Sequence, residues 1–488
     1  MLKKLFKKIS LTKARGTPAP LPPLRLRNTL SGELEDFVPM GRTVKMYNCG
    51  PTVYDYVTIG NLRMYINADI LRRSLLAWGY KVEQAINITD FGHLVSDADE
   101  GEDKMTKGLR REKMKVTMGN MAKLSEKYAD AFLADIQELG LDIERIRFPR
   151  ASSYVPEMIA IIKTLQQKGY AYKLEDGVYY DTSRFPGYGK LGHQDLAGQE
   201  AGARLEANAN KRRPADFVLW KSDKKLGWES PWGLGFPGWH TECVAMIFTL
   251  LGKQIDIHTG GIDHIAIHHN NELAQAEAAT GKQFVRTWLH GEFITIEDKK
   301  ISKSLRNTIS LSQLRDKAIE PKALRYWYLT GHYKSPMNFT WDAIEGANTA
   351  YQRLTRAYLE LPPSTLRPDT QFIQAFYAAI ADDLNTPQAL ALVWDLLRDP
   401  QITPAVKRAS LAEADRILGL GLGASGPVAR VTVISTGDLP DEVQRLLSAR
   451  EEARQNKDFK KSDDLRAQIA KKGFEVKDTP EGQKVTKK

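Results

Sequence analysis

The sequence predicts an α/β fold: a parallel-sheet domain with an insertion, then a helical domain and a small C-terminal segment. Three observations predict it. From Thr43 to Ile88 a strand-like run, a helix-like run and a second strand-like run follow one another, which is a βαβ unit with a right-handed crossover. The repeat breaks between about 95 and 231, and sheet-like runs resume at Gln254–His258 and near Thr287–Thr295. Beyond Trp341 the apolar spacing becomes helical up to Leu420. With 488 residues the chain exceeds the roughly 250–300 at which a single core stops growing.

Taken in order, residues 1–25 read as a basic, Pro-rich tail, with Leu2, Leu5, Phe6 and Ile9 on one side of a short helix-like segment. Residues 26–300 are assigned to the parallel-sheet domain. In it Val44, Met46 and Tyr47 form an apolar run that stops at the turn residues Asn48-Cys49-Gly50-Pro51. Leu62, Ile66 and Ile70 recur every four residues in a helix predicted over Asn61–Trp78, and Gly79 stands where a helix C-terminal glycine belongs. A strand is predicted over Val82–Ile88, which puts Cys49 and Thr89 at carboxyl ends of parallel strands, where ligands bind in such sheets. The insertion, 95–231, holds an acidic loop, helices around 115–139 and 153–168, and short strands near Val178–Tyr180. Residues 301–340 follow behind the lysine-rich loop, and 341–425 as a helical domain. Residues 426–488 close the chain with charged helices at 441–456 and 461–472.

Composition narrows the class. No apolar run approaches the ~20 residues that span a bilayer, so a soluble protein with no stable membrane association is expected. Two cysteines, Cys49 and Cys243, are too few for a disulfide framework and fit a reducing, cytoplasmic setting. The net charge of +10 is concentrated at the ends. Residues 1–30 carry eight basic residues and no acid, 441–488 carry thirteen basic and ten acidic, and the body between is close to neutral. Total charge is therefore weak evidence for a nucleic-acid partner.

Chemistry concentrates around Cys243. Six of the nine histidines lie between His240 and His290, and four of the nine tryptophans between Trp220 and Trp239. His268 and Glu272 are four apart, on one helix face, and His, Glu and Cys are sound zinc ligands. An isolated pair of this kind is more often a surface hydrogen bond, and no local zinc-finger spacing is present. Lys299-Lys300-Ile301-Ser302-Lys303-Ser304, after a strand-like run, suits a triphosphate, because lysine is a mobile point charge. As composition alone it is more often a solvated turn.

Five segments in order sharpen the reading: Cys49-Gly50-Pro51-Thr52-Val53-Tyr54-Asp55, Asn87-Ile88-Thr89-Asp90, Asp216–Lys221, Pro237–Cys243 and Lys300–Ser304. Together they resemble the cysteinyl-tRNA synthetases, a class I family, from about Leu26 to Pro480. That implies a Rossmann-like parallel-sheet catalytic domain with an insertion, a signature-loop and stem-contact region over 301–340 and a helical tRNA-binding domain behind it. The resemblance implies cysteine–tRNA ligase activity: ATP-dependent activation of L-cysteine to cysteinyl-adenylate, then transfer to tRNA(Cys), by a monomer. It implies one Zn2+ per chain on Cys49, Cys243, His268 and Glu272, with His269 as the rival to His268, and ATP entering with Mg2+. It places Thr58, Gly60, Asn61, Asp263 and Lys303 at ATP, and Gly50, Thr89 and Trp239 at cysteine. Lys300 and Lys303, with Thr58 and Asn61, are the catalytic set it implies.

Two departures stand out. Thr58-Ile59-Gly60-Asn61 has threonine where the family's HIGH-type signature begins with histidine, and threonine cannot become cationic. The chain also ends without the tryptophan common near the family's C-terminus. Two other readings remain beside the ligase. One is a mycothiol-type ligase using the same adenylate, against which the long segment after Trp341 counts. The other is a catalytically impaired tRNA-binding paralogue, for which Thr58 alone speaks.

Overall fold

The computed structural model describes residues 21–92, 103–193, 210–297, 299–300, 308–423, 439–456, 458–479 and 482–487. They fall into two units, Met1–Gly423 and Ala424–Lys488. The basic start of the tail and most of the lysine-rich loop, 301–307, lie outside the described residues.

The first unit opens with a hairpin, β1 (Arg25–Arg27) and β2 (Leu34–Asp36). The βαβ unit follows as β3 (Thr43–Asn48), α1 (Ile59–Ala77) and β4 (Lys81–Ile86). Thr58 caps α1: its hydroxyl accepts from the Asn61 amide at 3.4 Å, while Asn61 Oδ1 accepts from the Thr58 amide at 3.3 Å. Ile59, Leu62, Ile66, Ile70 and Leu75 are buried beneath it, and Gly79 takes φ +85° just past its end. The insertion then supplies α2 (Lys104–Arg111), α3 (Met118–Glu138) and α4 (Val155–Gln167). It continues in β5 (Ala171–Leu174), β6 (Gly177–Tyr180), β7 (Phe217–Ser222) and β8 (Gly235–Pro237). These four strands form an antiparallel sheet in sequence order.

The chain re-enters through α5 (Trp239–Leu250), β9 (Ile255–Gly261), α6 (Asn270–Thr280) and β10 (Val285–Gly291). The central sheet has strand order β10-β9-β3-β4, all parallel. The order reverses between β3 and β9, so a crevice opens beyond their carboxyl ends, at Cys49 and Gly260. β3 buries Val44 and Met46 as well as Tyr47, because helices cover both faces of a parallel sheet. Next come β11 (Ile294–Ile296), β12 (Lys299–Lys300), α7 (Leu311–Asp316), α8 (Pro321–Leu329) and β13 (Met337–Phe339). Four helices complete the unit: α9 (Trp341–Glu360), α10 (Thr370–Ala381), α11 (Thr386–Arg398) and α12 (Pro404–Leu418).

A buried ionic junction ties α1 to these helices. Arg325 on α8 is fully buried and pairs with Asp69 of α1 at 2.7 Å. It also donates to the carbonyls of Leu418 (2.7 Å) and Leu139 (3.2 Å). Arg73 pairs with the same carboxylate at 2.6 Å and donates to Gly140 and Arg416. Lys322 reaches the Gly419 carbonyl at 2.9 Å. Three basic side chains thus satisfy the otherwise unpaired carbonyls at the ends of α3 and α12, the helix ends that favour positive charge.

The second unit pairs α13 (Asp441–Gln455) with α14 (Phe459–Lys471) and adds a hairpin, β14 (Phe474–Thr479) and β15 (Gly482–Lys487). Val443, Leu447, Ile469 and Val476 form its core.

Candidate active site

A cavity of about 660 Å³ opens at the reversal point of the central sheet. Its wall includes Cys49, Gly50, Thr58, Gly60, Asn61, Trp239, Asp263 and His268. Sequence positions far apart are therefore drawn to one cleft by the carboxyl ends of β3 and β9 and the start of α1. Gly50 is fixed by its amide donating to Asn87 Oδ1 at 2.7 Å. Thr89 is buried, its hydroxyl donating to Glu242 Oε2 at 2.8 Å. Lys300 sits on β12, opposite Thr295 of β11. Lys303 lies outside the described residues.

On one side of the cleft a set of metal-ligating groups converges. Ligand atoms of Cys49, His268, His269 and Glu272 all lie within 4.8 Å of one another. Cys49 Sγ is 3.2 Å from His269 Nε2, and His268 Nε2 is 2.6 Å from Glu272 Oε1. Cys243, buried on α5, stands with its sulfur 3.6 Å from His268 Nε2. The four residues singled out in the sequence thus meet, and His269 joins them. A π-helical turn, Ile265–His269, leads into α6 and explains this. Regular α-helix turns adjacent residues to different faces, but the π turn brings both imidazoles inward. Space is made by Gly260, where a Cβ would lie 2.6 Å from His264 Nδ1 and 2.7 Å from His269 Cε1.

A second ring of contacts orients the set. His258 on β9 holds the other carboxylate oxygen of Glu272 at 2.7 Å and stacks on Trp288. His269 Nδ1 meets His290 Nε2 at 2.7 Å, and His268 Nδ1 meets His240 Nδ1 at 2.9 Å. The electrostatics follow the packing. Burial opposes charge on His268, yet the Glu272 carboxylate and Cys49 sulfur override it and raise it to about 10. Burial lowers His269 to about 4. Burial also works against ionised Glu272, but His258 and His268 hold its carboxyl well below the usual range. Cys243 is pushed up, first by burial and then by its contact with Cys49. The Cys49 sulfur, one carboxylate and imidazoles in a buried pocket, with the Cys243 sulfur beside His268, form a donor set that fits a zinc ion, and the second ring supplies the outer contacts such sites use.

Thr58 does not face the cleft with a free hydroxyl. Its Oγ1 donates to Asn61 Oδ1 at 2.9 Å inside the helix cap. What α1 offers the cavity is its amino end, a long helix's partial positive charge beside Gly60. The contributions of His258 and His290 were not singled out in the sequence; the clustering of histidines between 240 and 290 was the available signal.

Comparison with known proteins defines the class first. The model of the class I (C) tRNA synthetase catalytic domain matches residues 37–349, and the DALR domain matches 375–419. The Mycobacterium tuberculosis methionyl-tRNA synthetase in complex with methionyl-adenylate shares the fold, with a TM-score of 0.52 at 13% identity over 78% of this chain and 90% of that one. The cysteinyl-tRNA ligase anticodon binding domain matches residues 436–485. A cysteine–tRNA ligase 1 of Burkholderia lata is 44% identical over 95% of this chain and 97% of its own. A cysteine–tRNA ligase of Novosphingobium aromaticivorans is 40% identical over 94% and 96%. The chain belongs to the cysteine–tRNA ligases.

Proposed function

We propose that the chain activates L-cysteine with ATP and transfers it to tRNA(Cys). The observation that carries this reading is one cavity bordered both by a thiol-selective donor set, around Cys49, and by the amino end of α1. In the first step a carboxylate oxygen of cysteine attacks the α-phosphorus of ATP, the bond to the leaving oxygen breaks, and pyrophosphate departs. The Gly60 end of α1 receives phosphate charge through its amides, with Lys300 and Lys303 following the charge on the leaving group. Asp263 borders the nucleoside, and Gly50 and Trp239 border the amino acid. In the second step the terminal ribose hydroxyl of the tRNA attacks the carbonyl and AMP leaves. Positioning, rather than a covalent protein intermediate, supplies most of the rate.

Cys49, Cys243, His268 and Glu272 would hold Zn2+, with His269 beside them. Bound there, the ion supplies a soft centre that prefers a thiolate over the hydroxyl of serine, where shape alone discriminates only about 10–200-fold. Glu272, the hardest donor, is the ligand best suited to yield to the substrate. Mg2+ accompanies ATP. The enzyme is read as a cytoplasmic monomer; among the described residues no helix is long and apolar enough to cross a membrane.

The testing experiment is pyrophosphate exchange into ATP with cysteine or serine, alongside zinc content on the same sample. Exchange with cysteine alone and about one zinc per chain is expected. No exchange in a folded, zinc-loaded chain would overturn the reading in favour of an impaired paralogue.

A further inference from the structure

Arg63, on the second turn of α1, is completely buried, yet its guanidinium meets no carboxylate. It is spent on backbone carbonyls instead. One terminal nitrogen donates to Glu292 (3.0 Å) and Phe293 (3.1 Å), the other to His332 (2.9 Å) and Ser335 (2.8 Å). Burial pulls its pKa down only to about 10, so it stays charged at neutral pH. A buried cation is costly unless hydrogen bonds compensate it, and these four join α1 to two segments more than 200 residues further along the chain.

The two segments are the lead-ins to β11 and β13, which pair in parallel. They are tied to each other as well: the Glu292 amide donates to the Tyr333 carbonyl at 2.8 Å, and the Met337 amide to the Phe293 carbonyl at 3.1 Å. Arg63 pins that pair to the helix whose amino end borders the cavity. Gly291 lets the wall come close, since a Cβ there would lie 2.9 Å from Met64 Sδ. Residues 291–295 are themselves cavity wall, and β11 leads on to β12, where Lys300 lies opposite Thr295. Only a planar guanidinium reaches carbonyls on two sides at once; an ammonium offers its donors from one point. Arg63 is not part of the cavity wall, so whatever it does for the reaction it does through these segments.

We propose that Arg63 is a positioning residue for the activation step. It sets the β11–β12 hairpin, and Lys300 with it, against the Gly60 end of α1, so that both elements meet one triphosphate. The proposal rests on the aminoacylation reading above, which puts Lys300 on the departing pyrophosphate.

The test uses the full zinc-loaded chain carrying Arg63→Met or Arg63→Lys, with melting profile and zinc content measured on each. Cysteine-dependent pyrophosphate exchange should lose about 10–100-fold in kcat/KM for ATP, the scale of a misplaced group, with Arg63→Met the worse. The KM for cysteine should stay within about twofold, because no contact to the amino acid is removed. Single-turnover transfer from preformed cysteinyl-adenylate to tRNA should likewise hold within about twofold, since the pyrophosphate has already left. In a Lys300→Gln background, Arg63→Lys should cost no more than about twofold further, because the group it positions is gone. Equal losses in both steps, a matching rise in the KM for cysteine, or an undiminished loss in the Lys300→Gln background would overturn the proposal, as would failure of both variants to fold. Absence of exchange by the wild-type chain would instead remove the aminoacylation reading, and the proposal with it.

Discussion

The first unit contains two buried polar clusters, and they solve burial in opposite ways. At the junction, one carboxylate, Asp69, meets Arg73 and Arg325, and the remaining donors are spent on carbonyls at two helix ends. Burial penalises ionised Asp69, but the two guanidiniums hold its carboxyl below its ordinary value. The junction carries its own cations. At the active site the converging atoms are mainly electron-pair donors, with the Cys49 sulfur and Glu272 carboxylate both turned toward imidazoles. The function proposed above completes that cluster with a cation from outside. A cation-rich cluster whose spare donors end on carbonyls closes on itself, whereas a donor-rich one can accept a cation.

The largest effect should come from removing a donor. Cys49→Ser should cut zinc retention and cysteine-dependent exchange by more than about 100-fold, beyond what loss of an outer contact costs, whereas Glu272→Gln should weaken cysteine affinity more than zinc content. Metal content after dialysis and an unchanged melting profile in chelator would show that binding, not folding, was lost. A fall in chelator-treated stability would erase the contrast between the clusters. Next, Asp69→Asn should destabilise the fold by about 3–5 kcal/mol, since buried Arg325 and partly buried Arg73 lose that counter-charge. Adding Arg325→Met should recover only part, because the Leu418 and Leu139 carbonyls lose their donor; denaturant titration measures both. Full recovery would mean that the carbonyl bonds contribute nothing.

His258→Ala should weaken zinc binding by about 10–100-fold while leaving the ligands in place. Competition with a chelator gives the affinity, and an unchanged value would demote His258 to core packing. The smallest effect is electrostatic. Burial drives Lys322 down from 10.5 to about 7, so between those values the unfolded chain binds a proton that the folded chain does not. Stability contributed at this position therefore rises with pH across that window. Wild-type chain should gain on Lys322→Met as pH is raised from about 7 to 9, read from melting temperatures at each pH. A difference independent of pH would show that Lys322 stays charged.

The sequence carried the catalytic sheet because its signals are local. The four-residue recurrence of Leu62, Ile66 and Ile70 reports a helix face, and α1 runs Ile59–Ala77 where Asn61–Trp78 was predicted. Asp69 and Arg325 were not legible as partners: a charged residue on a helix reads as solvated until a second helix, α8, covers it. The antiparallel sheet of the insertion was seen only near Val178–Tyr180. Its other strands are short, and their pairing is set by contacts between distant segments. The C-terminal hairpin, Phe474–Thr479 with Gly482–Lys487, was missed because its polar alternation resembles a solvated tail.

By itself the sequence determined the family, the parallel-sheet scaffold and the residue types of the site, since motif order and apolar period are properties of the chain. Only the tertiary structure decided which donors meet. His269 enters the cluster through a π turn, Cys243 reaches His268 across from α5, and Thr58 turns its hydroxyl into the cap of α1. Those outcomes depend on distances of a few ångströms between elements that the chain brings together from far apart in sequence, and no periodicity within one element encodes them.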